Sequence, residues 1–111
     1  MIIEEIRQGT VMVLKLTGAL IQDDLNDLNT SVQAQFSAGA SKLILDLADV
    51  PFIDSLGLEC LLETVEKAEQ LGGSVKIACA TEITRDILIA TRLASRIEGF
   101  ADVALARKSF M

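Results

Sequence analysis

The chain has 111 residues, half of them hydrophobic and 4% aromatic, with 16 acids against 10 bases, no histidine and a formal net charge of −6. That length supports one domain, expected to run from 1 to 111, around a single core of Leu, Ile, Val and Ala. The acidic balance argues against nucleic acid or anionic lipid as a partner, and the missing histidine removes the commonest general base and a common zinc ligand.

No apolar run approaches the ~20 residues that cross a bilayer. Met1-Ile2-Ile3-Glu4-Glu5 carries no basic region ahead of an apolar stretch, so it does not read as a signal peptide. A cytoplasmic protein without membrane insertion is expected. Cys60 and Cys79 are not spaced as a CxxC pair. They read as small buried hydrophobes in a reducing compartment rather than as redox or metal groups.

In chain order, Ile2 to Arg7 reads as a strand and Gln8-Gly9 as a turn. Val11 to Leu16 is a second strand, closing a hairpin. Val11 and Val13 lie in one register and Met12, Leu14 and Leu16 in the other, so this strand should be covered on both faces. From about Asp23, Leu25, Leu28, Val32 and Phe36 recur at helical spacing, with Asp23 and Asp24 at the helix start and Gly39 at its end. Lys42 to Leu47 is nearly all apolar, as a central strand should be; a carboxylate at Asp46 reads as one held by loop N–H groups.

The stretch Val50-Pro51-Phe52-Ile53-Asp54-Ser55-Leu56-Gly57-Leu58 joins that strand to a second helix reaching about Leu71. Leu58, Leu61, Leu62, Val65, Ala68 and Leu71 form its apolar stripe. Glu63 and Lys67 are spaced for an i,i+4 pair. The bland reading of Asp54-Ser55 is a helix cap supplied by either residue. The alternative is a recognition point, because a helix N-terminus offers unpaired N–H groups and a positive dipole end. Gly72-Gly73 stops the helix and Ser74 to Ala80 is a fourth strand. Thr81 caps a third helix, with Ile83, Ile87, Leu88 and Leu93 inward, and Val103 to Ala106 forms a short terminal helix. The sum is an α/β mixed sheet of about four strands, with helices packed mainly on one face.

Leu43-Ile44-Leu45-Asp46-Leu47, then Val50 and Phe52-Ile53-Asp54-Ser55-Leu56-Gly57-Leu58, then Gly72-Gly73 and a short strand, together resemble a STAS domain. That is the fold of bacterial anti-sigma factor antagonists, and the likeness covers roughly Ile2 to Ala106. It implies that Ser55 is the phosphoacceptor of a partner anti-sigma factor that is also a serine kinase. A serine phosphatase would reverse the modification. Unphosphorylated protein would bind the anti-sigma factor and free sigma. The implied binding face comprises Asp54, Ser55, Leu56, Gly57 and Glu59, the exposed side of the following helix and the loop from Gly18 to Asp23. Gly57 would allow close approach of a partner.

Two departures from the family pattern stand out. Leu56 replaces a second hydroxyl, and Gly18-Ala19-Leu20-Ile21 lacks the acid common in that loop. Both suit the alternative of a STAS scaffold never phosphorylated, such as a docking subunit of a lipid-transport ABC complex or a stress-sensor assembly. A receiver domain phosphorylated on Asp46 is a more distant alternative, with Asp23-Asp24 as its only candidate metal-binding pair. An enzyme is not expected: there is no G-x-S-x-G, no phosphate-binding glycine loop and no histidine to activate a serine. No cofactor or metal is implied, and the sequence is silent on self-association.

Overall fold

A computed structural model describes residues Met1–Met111. The entry hairpin is β1 (Ile2–Gln8) and β2 (Val11–Thr17), followed by a single 3-10 turn at Gln22–Asp24 and helix α1 (Leu25–Ser37). Next come β3 (Lys42–Asp49), α2 (Ser55–Gln70), β4 (Ser74–Ala78) and α3 (Glu82–Ala90). A 3-10 turn at Leu93–Ser95, a two-residue strand β5 (Gly99–Phe100) and α4 (Val103–Lys108) complete the chain. The sheet order is β1-β2-β3-β4-β5; β1 is antiparallel to β2 and every other pair is parallel.

The mixed sheet is as expected, but it has five strands rather than four. The missed strand pairs only Gly99 with Ile77 and Phe100 with Ala78, too short to leave an alternating pattern in sequence. The two registers of β2 do face opposite sides. Met12, Leu14 and Leu16 join Leu43, Leu45, Leu47, Val75 and Ile77 under α1, α2 and α3 in the main core. Val11 and Val13 join Ile44 and Ala78 in a smaller cluster beneath Ala106 of α4. Three helices therefore share one face and α4 sits alone on the other.

Lys76 helps to hold that last helix. Although it lies in β4 and is 7% exposed, its Nζ donates to Ser109 Oγ at 2.7 Å and lies over the Phe110 ring at 4.2 Å. A buried ammonium persists because it is hydrogen-bonded and faces a π-system.

Two inward assignments and one pairing fail. Leu71 is 55% exposed and Ile83 62% exposed. Leu71 lies just past the last turn of α2, and Ile83 sits in the first turn of α3, where Thr84 takes the buried place. Lys67 does not pair with Glu63; its Nζ donates to Gln33 Oε1 of α1. A neighbouring helix offered a partner that the i,i+4 rule does not consider.

Candidate functional site: the junction between β3 and α2

After β3 the chain folds back on itself, with Val50 N donating to Leu47 O at 3.1 Å. Val50 and Ile53 point into the core while Pro51 and Phe52 remain exposed. The loop after β2 lies alongside. Gly18 N donates to Asp49 O at 3.0 Å, Leu20 N to Phe52 O at 2.9 Å, and Asp54 N to Leu20 O at 3.1 Å. Leu20 and Ile53 thereby form an isolated parallel bridge. From α3, Thr84 Oγ1 donates to Val50 O at 3.0 Å. The expected juxtaposition of the Gly18–Asp23 loop with the junction is present, and the junction is fastened from two sides.

Asp54, not Ser55, is the N-cap of α2. Its backbone is extended, and Oδ1 accepts from Gly57 N at 2.7 Å. Its other oxygen, Oδ2, accepts from Gln22 N at 3.2 Å. One carboxylate thus caps the helix and pins the neighbouring loop, and neither oxygen is turned to Ser55. Ser55 is the first residue of the helix; it is exposed, and its Oγ forms no hydrogen bond within the chain. Leu56 is 40% and Phe52 49% exposed, and Glu59 is exposed one turn on.

Gly57 has a different reason from the one its position suggests. It is buried, and a Cβ there would sit 2.2 Å from Leu20 O and 2.9 Å from Ile53 Cγ2. The close approach it permits is that of the protein's own loop. Gly57 therefore shapes the face from beneath and does not lie on it. Sequence reasoning also missed Leu20, Gln22 and Thr84 as supports of the junction. Their bonds here are to backbone or to Asp54, and none carries a spacing signal.

The segments that meet here are one-sided in charge. No Lys or Arg occurs from Leu16 to Ser41 or from Leu43 to Glu66, whereas Asp23, Asp24, Asp27, Asp46, Asp49, Asp54, Glu59, Glu63 and Glu66 do; from outside them the Met1 ammonium answers Asp24 and Asp27, and Lys15 answers Asp49. A phosphate on Ser55 would find no cation on these segments, which include the loop, α1 and most of α2. The helix N-terminus is the favourable feature left to it.

The other candidates play structural parts. Asp46 Oδ1 accepts from Ala48 N at 3.1 Å, so its carboxylate is held by the strand's own backbone two residues on and not by the loop N–H groups expected. Cys60 is buried, with its thiol donating to Asn29 Oδ1 at 3.2 Å. Burial, then the Glu63 charge, pushes its pKa up. Cys79 is half-buried at the end of β4; burial and then the Asp46 carboxylate likewise raise its pKa. Neither thiol is tuned to ionise at neutral pH. The receiver alternative fails on topology, because an antiparallel entry hairpin and sequential strand order differ from a doubly wound parallel sheet.

The class defined by this fold is an α/β domain with an antiparallel hairpin edge, parallel crossovers and helices largely on one side. Within it, the family model of the STAS domain matches residues 3–106, and the chain belongs to that family. A Thermotoga maritima protein assigned as an anti-sigma factor antagonist superposes with a TM-score of 0.91 at 19% identity, over 96% of this chain and 92% of that one. The Bacillus cell-fate determinant SpoIIAA in its phosphorylated form matches with a TM-score of 0.75 at 16% identity, over 99% and 100%. The fold also recurs within the murine anion transporter Slc26a9, with a TM-score of 0.76 and 18% identity, over 87% of this chain and 17% of the transporter. At such identities the likeness is one of fold. No protein of curated function matches the chain by sequence. No helix is long and apolar enough to cross a membrane.

Proposed function

We propose that this protein is an anti-sigma factor antagonist switched by phosphorylation of Ser55. Unphosphorylated, it binds an anti-sigma factor that is also a serine kinase, and sigma factor is released. The kinase transfers the γ-phosphoryl group of ATP to Ser55 Oγ. The new Oγ–P bond replaces the bond to ADP, and the hydroxyl proton passes to a base on the kinase, since this chain has no histidine. A serine phosphatase restores the hydroxyl. The observation that carries this reading is the state of Ser55: exposed, without an intramolecular partner, and relieved of capping duty by Asp54. Asp54, Leu56 and Glu59 flank it on the binding face, with Gly57 supporting that face from below.

The charge distribution shapes the mechanism. Phosphorylation adds about −1.5 to −2 charge at neutral pH to a region already rich in acids. A partner matched to that region presents cations, so long-range attraction survives the modification. Release must then come from contact: a bulky, strongly hydrated group has to be desolvated where a small hydroxyl fitted. Affinity should fall through faster dissociation rather than slower association.

The test is intact mass after incubation with ATP and candidate anti-sigma kinases encoded in the same genome, with Ser55→Ala alongside. One added phosphate on the wild type and none on the variant is the expected result. Ser55→Asp should weaken the complex with that kinase while leaving the fold unchanged; unaltered affinity would sink the switch. A second reading, a docking subunit that is never phosphorylated, is favoured by the apolar exposure of Phe52 and Leu56 and by the recurrence of the fold inside a transporter. No phosphate from any kinase, beside a stable complex with another protein, would establish it instead.

A further inference from the structure

Away from the junction, a cavity of about 320 Å3 opens between α3, the 3-10 turn after it and the short edge strand β5. Its floor is the core itself: Ile77, Leu88 and Ile97 are each no more than 4% exposed. Ala80, Ala94, Gly99 and Ala101 line it with almost no side chain, and this is what leaves the space empty. β5 supplies only two residues, so the sheet ends before anything can cover the opening. Eight of the ten lining residues are hydrophobic.

One lining residue is charged. Arg85 of α3 stands at the exposed margin, and no acid lines the cavity. Arg85, like most Lys and Arg side chains of this protein, takes part in none of the ion pairs of the structure, so its guanidinium is free to meet a ligand at the mouth of the cavity. A planar guanidinium fork is suited to a carboxylate, which it can hold through two parallel bonds. Behind it lies an apolar slot at the small end of the range for ligand pockets, which run from about 300 to 1,000 Å3.

We infer that this cavity binds a medium-chain alkyl carboxylate, its chain in the slot between α3 and β5 and its carboxylate on Arg85. The single cation balances the single negative charge of a fatty acid. The volume limits the chain to medium length, and the small side chains at its walls admit an unbranched one. This site is independent of Ser55 and of the reading given above, since it shares no residue with the junction.

The experiment is a titration of the 15N-labelled full chain with decanoate below its micelle-forming concentration, followed by amide shifts. Decanol serves as a neutral ligand of the same length, and acetate as the charge without the chain. Saturable shifts at Leu88, Ile89, Gly99 and Ala101, with Ser55 to Gly57 unmoved, are expected. Arg85→Gln should weaken decanoate tenfold or more and leave decanol unchanged, and acetate should not saturate. Ala94→Leu, which fills the slot, should abolish binding of both alkyl ligands. Because Arg85 is exposed, its replacement leaves the fold intact and decides the question even if Ala94→Leu unfolds. The inference is overturned by the absence of saturable shifts, by shifts scattered over the whole surface, by decanol binding as tightly as decanoate, or by an Arg85→Gln variant that binds decanoate normally.

Discussion

Replacing Gly57 by alanine should destabilise the protein, against the ordinary expectation for a helix. Gly→Ala inside a helix stabilises by roughly 0.5–1 kcal/mol, through backbone entropy. Here the added Cβ would stand 2.2 Å from Leu20 O, where ordinary contact begins at 3.4 Å. The neighbour is backbone, so the loop must retreat by about 1 Å before repulsion is relieved. That movement stretches the bond from Asp54 N to Leu20 O, now 3.1 Å, and disturbs the one from Leu20 N to Phe52 O at 2.9 Å. It also draws Gln22 N away from Asp54 Oδ2. Each such bond contributes about 0.5–1.5 kcal/mol, and Leu20 is fully buried, so its side chain loses packing as well. Net of the propensity gain, a loss of about 2 kcal/mol is expected. Urea unfolding would show it as a midpoint lower by about 1 M at an unchanged slope. Amide exchange should quicken at Leu20 and Asp54 before it does in the central strands. A Gly57→Ala protein as stable as the parent would refute the reasoning, because the loop could not then be seated against the first turn of α2.

Asp54→Ala should lose both the cap and the tie to Gln22, about 2 kcal/mol in thermal unfolding. Asp54→Asn keeps one oxygen for Gly57 N and should lose about half as much; an Asn variant as stable as the parent would show that the carboxylate does not serve two donors. Leu45→Ala and Leu61→Ala, both fully buried, should each cost ~2–5 kcal/mol, whereas Ser55→Ala should stay within about 0.5 kcal/mol; a denaturant series in the reverse order would invert the assignment of inside and outside. Lys76→Met removes the bonds to Ser109 and the contact with Phe110. It should cost about 1–2 kcal/mol and speed exchange in α4 above all, so uniform exchange across the chain would deny Lys76 its anchoring part.

How much of this was legible in the sequence follows from the range of each interaction. The double register of β2 announced a sheet covered on both faces, because strand periodicity is written in adjacent residues. Thr81 announced its cap for the same reason, and its Oγ1 accepts from Thr84 N as expected. β5 left no trace, since two residues cannot show an alternation. At the junction, the family motif drew attention to Asp54, Ser55 and Gly57 together, yet the division of labour among them depends on Leu20, more than thirty residues upstream. Only with that loop in place does Asp54 become a clamp and Gly57 a packing glycine, which leaves Ser55 as the motif residue with its polar group free. A motif in which every residue bonded inward would be architecture alone. One in which two of three do so, and thereby hold the third outward at a helix N-terminus, is what a surface read through a single hydroxyl requires.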